Sequence, residues 1–148
     1  MIIKLVKSQI KQLFSSTKKQ WSALIIVVVT LILITPLCGF LFQCGCDWPW
    51  SGLDSNCNYY KLIAKHRCPW CASMISGIVS TGVAIIGGLL ATITTFSTFC
   101  FTKYLSLNEV VYRALVGIAT FFLIAILTAS ISAIYQNYPL GLGRFFFY

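Results

Sequence analysis

Seven cysteines stand in the 148 residues, and five of them fall between Cys44 and Cys71. The run is Cys44-Gly45-Cys46-Asp47-Trp48-Pro49-Trp50, then Cys57, then His66-Arg67-Cys68-Pro69-Trp70-Cys71. Thiolates attack disulfides and bind soft metal ions, so redox exchange and metal binding are the chemistries this stretch offers. Cys38 brings the group to six and leaves Cys100 apart. An even set facing an oxidising compartment suits a disulfide framework, whose connectivity the sequence leaves open. Cys44 and Cys46, one glycine apart, would strain a disulfide between themselves, which favours bonds to other thiols or to a metal.

Cys68 and Cys71 lie three apart at the start of an apolar segment, with Pro69 at the first helical position, where its missing N–H does no harm. The amides and dipole of a helix start, with Lys65 and Arg67 beside them, predict a lowered pKa for Cys68 and make it the attacking thiolate. Cys71 is then the resolving thiol. The competing reading is a metal site in which Cys44, Cys46, Cys68 and Cys71 hold tetrahedral Zn²⁺ or Fe, with Cys57 or His66 as substitutes; the same soft ligands suit Cu(I). A c-type haem needs histidine directly after the second cysteine, and Ala72 is there. Asp47 and Asp54 read as turn residues among glycine and proline. Glu109 suits the start of a helix. No nucleophile, base and orienting acid can be assembled, so hydrolase chemistry is unsupported.

The elements that must position these thiols are membrane helices. The chain is 58% hydrophobic and 9% charged, whereas a soluble domain is about a quarter charged. Residues 22–42, 72–102 and 110–135 each exceed the roughly 20 apolar residues needed for one crossing. The expected fold is an all-α membrane protein of three transmembrane helices in a single domain spanning residues 1–148. Residues 1–21 form an interfacial amphipathic helix with Lys4, Lys7, Lys11 and Lys18 on one face. Residues 43–71 are a cysteine-rich outer loop, and residues 136–148 an aromatic tail that anchors at the interface or meets a partner. The first apolar segment is longer than a signal core and reads as a retained helix, kinked or stopped early at Pro36. Arg113 is expected to snorkel toward headgroups.

Of eleven basic residues, seven lie before the first span or flank the second connection, and Lys61, Lys65, Arg67 and Arg144 lie on the opposite side. This bias predicts an N-terminus on the cytoplasmic or matrix side and the cysteine loop outside. The setting is read first as a bacterial inner membrane and second as an organelle inner membrane. The net charge of +8 is dispersed around the crossings, which points to anionic headgroups and not to nucleic acid. Small residues recur every fourth position at Ala72, Ser76, Ser80, Ala84 and Gly88, a seam for close helix packing that suits the chain's own helices and a partner membrane protein. Thr92, Thr94, Thr95, Ser97 and Thr98 either line a polar path or bond their own helix backbone.

A CxxC at the outer mouth of the second membrane helix, after a short first outer loop, resembles the bacterial inner-membrane disulfide-oxidase family, which passes electrons from periplasmic thiols to quinone. The vitamin K epoxide reductase family keeps a CxxC at a similar place. The resemblance covers about residues 22 to 100. It implies that Cys68 and Cys71 are a quinone-facing redox pair, that two of Cys44, Cys46 and Cys57 form a shuttle pair, and that the cofactor is quinone. The expected function is thiol-disulfide exchange through Cys68 and Cys71. The alternative is a small accessory subunit of a larger membrane complex, stapled by disulfides or binding Zn, Fe or Cu.

Overall fold

The structure, a computed structural model, describes residues 17–72, 74–94 and 109–148. The elements are α1 (Thr17–Phe42), α2 (Pro69–Ala72), α3 (Met74–Thr94), α4 (Glu109–Tyr135), a 3₁₀ turn (Gly141–Gly143) and the short α5 (Arg144–Phe147). Three of these helices are long and apolar enough to cross a membrane, over Gln20–Phe42, Gly77–Thr94 and Glu109–Tyr135. Helices suit such segments because each backbone N–H and C=O is satisfied within the segment when no water is at hand. No strand occurs among the described residues. The interfacial helix expected over residues 1–21 lies outside the described residues up to residue 16, and so does the 95–102 end of the second predicted span.

The first span ends at Phe42 as expected, but its start differs and the early stop offered at Pro36 does not occur. α1 begins at Thr17 and carries Pro36 inside it, running on to Phe42 without stopping early. A proline is tolerated there because neighbouring helices and local adjustment support a membrane helix that has lost one internal hydrogen bond. This carries Cys38 to the inner side of the bundle's end, 5% exposed.

Packing of α3 on α4 uses small residues on both. A side-chain carbon added at Gly88 would stand 2.8 Å from the Gly117 carbonyl oxygen and 3.1 Å from Phe121 Cβ, so the two backbones nearly touch. Ser80 and Ala84 are buried along the same stripe. Ala72, at the cysteine-loop end of the seam, is exposed; the Ser76 side chain lies outside the described residues. On α4 the matching stripe is Ala114, Gly117, Phe121, Ala125, Ala129 and Ala133, all buried.

Thr92 and Thr94 each donate to their own helix, at Gly88 O (2.9 Å) and Leu90 O (2.8 Å); Thr95, Ser97 and Thr98 lie outside the described residues. Arg113 does not snorkel. It is 5% exposed, donates to Glu109 Oε1 at 3.0 and 3.1 Å and reaches the Thr92 carbonyl at 3.4 Å. The glutamate one turn earlier on α4 and the carbonyl on α3 give the guanidinium partners inside the bundle, so it need not seek the headgroups.

Candidate metal centre

At the end of the bundle away from Arg113, the chain folds six cysteines into one cluster. α1 ends at Phe42, Gln43 takes a positive φ of 50°, and Gly45 follows at +89°. That left-handed turn needs glycine, and an added side-chain carbon would also meet Asn56 O at 2.5 Å. The reversal brings Cys44 and Cys46 back against the end of α1. The loop then closes on itself: Asn58 N–H donates to Cys44 O at 2.7 Å, and Cys57 N–H to Asp54 O at 2.9 Å. Trp48 and Trp50 stack at 5.2 Å on the exposed side, and the Tyr60 hydroxyl donates to Asp54 Oδ2 at 2.9 Å.

Three polar residues that the sequence did not flag hold this assembly. Asn58 Oδ1 accepts from the Cys68 backbone N–H at 2.8 Å, and Asn58 Nδ2 donates to the Tyr138 hydroxyl at 2.9 Å. Tyr138 donates in turn to Phe42 O at 2.9 Å, and Gln136 Nε2 donates to Pro69 O at 3.1 Å. The segment after α4 therefore closes over the cysteines, while Phe145 and Tyr148 at its end stay exposed. The only sequence signal for any of the three is that Asn58 directly follows Cys57.

All six cysteines are free. The sulfurs stand at 3.7 Å for Cys38 and Cys44, 3.5 Å for Cys38 and Cys68, 3.4 Å for Cys44 and Cys46, 3.4 Å for Cys57 and Cys71, and 4.0 Å for Cys46 and Cys71. A disulfide would hold two sulfurs at about 2.05 Å. Metal–thiolate bonds of about 2.3 Å place sulfurs on one ion about 3.8 Å apart in a tetrahedron and about 4.0 Å apart in a trigonal plane.

The ligand atoms group into four triples, each with all its sulfurs within 4.8 Å of one another: Cys38, Cys44 and Cys68; Cys38, Cys46 and Cys71; Cys44, Cys46 and Cys57; and Cys57, Cys68 and Cys71. The cluster could hold a metal ion. Every cysteine belongs to two triples, and the pairs Cys38/Cys57, Cys44/Cys71 and Cys46/Cys68 share none. The connectivity is that of an octahedron whose opposite corners are those three pairs. Cys44, Cys46, Cys68 and Cys71, expected to surround one tetrahedral ion, thus form the octahedron's equator and contain two opposite pairs. His66 stands outside the four triples, with its ring edge-on to Tyr138 at 6.5 Å.

Crowding and burial set the proton affinities. Cys44 and Cys71 are held well below the ordinary thiol range by hydrogen bonds from neighbouring thiols, Cys38 first. Cys57 is pushed up to about 12, chiefly by burial. Cys68 receives a lowering hydrogen bond from Cys38, but its bonds to Cys44 and Cys71 and its burial outweigh this, and the thiol is raised. The Cys68 amide is taken by Asn58, and the side chain is fully buried. The two favoured anions, Cys44 and Cys71, are opposite corners, where their mutual repulsion is least.

One side of the cluster is open. Cys38, Cys46 and Cys71 line a cavity of about 440 Å³ shared with Ile34, Tyr59 and Trp70. Thr35 Oγ1 and Trp70 Nε1, both on residues lining it, are buried without a hydrogen-bond partner.

Fold and site together define a helical protein with three membrane-spanning candidates and a buried six-thiol cluster at one end. No protein-family model, no curated protein and no solved structure matches the chain.

Proposed function

We propose that this chain is an integral membrane protein that binds soft metal ions through Cys38, Cys44, Cys46, Cys57, Cys68 and Cys71 on the outer face of the membrane, serving as a metal-holding module or an accessory subunit of a membrane complex. The observation that carries the reading is the convergence of six free sulfurs into triples within 4.8 Å, with five pairs in contact at 3.4 to 4.0 Å, wider than a disulfide and close to the spacing of thiolates sharing an ion. Burial supports it as well, since thiolates crowded together away from water repel one another until a cation neutralises them. Thiol exchange through Cys68 requires a sulfur that a partner can reach, and Cys68 is fully buried.

The test is elemental analysis and intact mass of the full chain, purified in detergent without oxygen or chelator. Stoichiometric copper or zinc, with six cysteines protected from alkylation until the metal is stripped, is the expected result. A metal-free protein lighter by six hydrogens would overturn the reading in favour of three disulfides, and with them stapling or redox exchange.

A further inference from the structure

We infer that the cluster is built for four monovalent copper ions at once, one on each of the four cysteine triples, with every sulfur bridging two ions. This rests on the metal–thiolate reading above and specifies its cargo. The four triples are one set of alternate faces of the sulfur octahedron, sharing corners but no edges; the complementary four faces lie within the same 4.8 Å, and either set offers four three-sulfur positions. An ion placed at the middle of each such face has three sulfur ligands, and each of the six sulfurs serves two faces. Four ions on alternate faces is the loading in which every sulfur bridges two ions.

Coordination preference selects the ion. Zn²⁺ in structural sites takes four ligands in a tetrahedron, which needs four sulfurs mutually about 3.8 Å apart; any four corners of an octahedron include an opposite pair. An iron–sulfur cubane spreads its cysteines around a core of inorganic sulfide, for which touching sulfurs leave no room. Cu(I) is soft, closed-shell and content with three thiolates. Five sulfur pairs stand at 3.4 to 4.0 Å and the other pairs within each triple at no more than 4.8 Å, a range that brackets the trigonal value of about 4.0 Å.

The charges balance with little residue. As the metal–sulfur bonds form, the sulfurs that still carry protons release them to solvent, and six thiolates with four unit positive charges leave the cluster with two net negative charges. Lys61, Lys65 and Arg67 sit on the same loop, and the unpartnered donors Thr35 Oγ1 and Trp70 Nε1 lie on residues lining the cavity beside the Cys38, Cys46 and Cys71 face. That face, the one lining the cavity, is the route by which ions would reach the cluster. No electron transfer is involved, because copper arrives and stays monovalent.

The experiment titrates reduced, metal-free, full-length protein in detergent, under nitrogen, with the acetonitrile complex of Cu(I), followed by native mass spectrometry and X-ray absorption. A four-copper species that forms while metal-free protein is still abundant, with three sulfur neighbours per copper and a short copper–copper shell, is the result expected. Cys46→Ser removes a ligand from two faces, so bound copper should drop from four to two, whereas Cys100→Ser should leave four. Helix content by circular dichroism checks that the variants fold, and the wild-type stoichiometry stands without them. Binding of one or two ions with four sulfur neighbours would overturn the four-ion cluster yet leave the metal–thiolate reading intact. No uptake of copper or zinc by the fully reduced protein would overturn both.

Discussion

The Tyr138 hydroxyl donates a 2.9 Å hydrogen bond to the carbonyl of Phe42, 96 positions earlier in the chain. Phe42 is the last residue of α1, and Tyr138 lies three residues past the end of α4, so one bond ties the ends of two membrane helices beside the thiols. Both side chains are buried and their rings meet edge-on at 5.8 Å. The same hydroxyl accepts from Asn58, which links the cysteine loop to the tie.

Tyr138→Phe keeps the ring and deletes the hydroxyl, leaving Phe42 O and Asn58 Nδ2 each short of a buried partner. Leaving such groups unsatisfied costs about 1–3 kcal/mol. The melting temperature of the detergent-solubilised protein should fall accordingly, and metal should be lost from the variant at a lower chelator concentration than from the wild type. Unchanged melting would show that water replaces the hydroxyl.

Gly88→Val places a side chain against the Gly117 carbonyl, where backbone and not a flexible group must yield. Overpacking of this kind costs about 1–3 kcal/mol. Gly82 has nothing within 4 Å of an added carbon, so Gly82→Ala is expected to be neutral or to stabilise by up to about 1 kcal/mol through helix propensity. Thermal unfolding of the pair separates close packing from a general intolerance of larger residues in α3.

Glu109→Gln strips the carboxylate from a guanidinium whose side chain is 6% exposed. Breaking a buried pair costs about 3–5 kcal/mol, but Glu109 retains 29% exposure, and screening reduces the expected loss to about 1–3 kcal/mol. The double change Glu109→Leu with Arg113→Met removes both charges and should be less damaging than Glu109→Gln alone. Denaturation curves in one detergent decide the order.

Leu62 is 96% exposed at the tip of the cysteine loop, which makes it a reporter of sidedness. In a Cys100→Ser background, Leu62→Cys should react with a membrane-impermeant maleimide added from outside intact cells, while the six clustered thiols react slowly. Labelling only after the membrane is opened would reverse the proposed orientation and put the cluster on the cytoplasmic side.

Much of the fold was legible in the sequence because lipid imposes a simple rule: long apolar runs must satisfy their own backbone, so residues 22–42 and 110–135 announced α1 and α4. The stripe at Ser80, Ala84 and Gly88 was legible for a similar reason, since only small residues let two backbones touch. The matching stripe on α4 was overlooked although it repeats every three to four residues. Arg113 was misread because a charge near a helix end has two outlets, water or a partner, and the Thr92 carbonyl that helps hold it lies 21 positions away.

What the sequence determined by itself was the inventory: three apolar helices, and six thiols kept within one loop and its flanks. Only the tertiary structure decided their arrangement. Chain spacing groups Cys44 with Cys46 and Cys68 with Cys71, and so suggests two pairs. In space, Cys38 on α1 and Cys57 in the loop interleave with those pairs to complete an octahedron. Proximity along the chain constrains only neighbours, whereas the relation among six sulfurs is set by the turn at Gly45, the anchor at Asn58 and the closure by Tyr138, none of which is local to more than two of them.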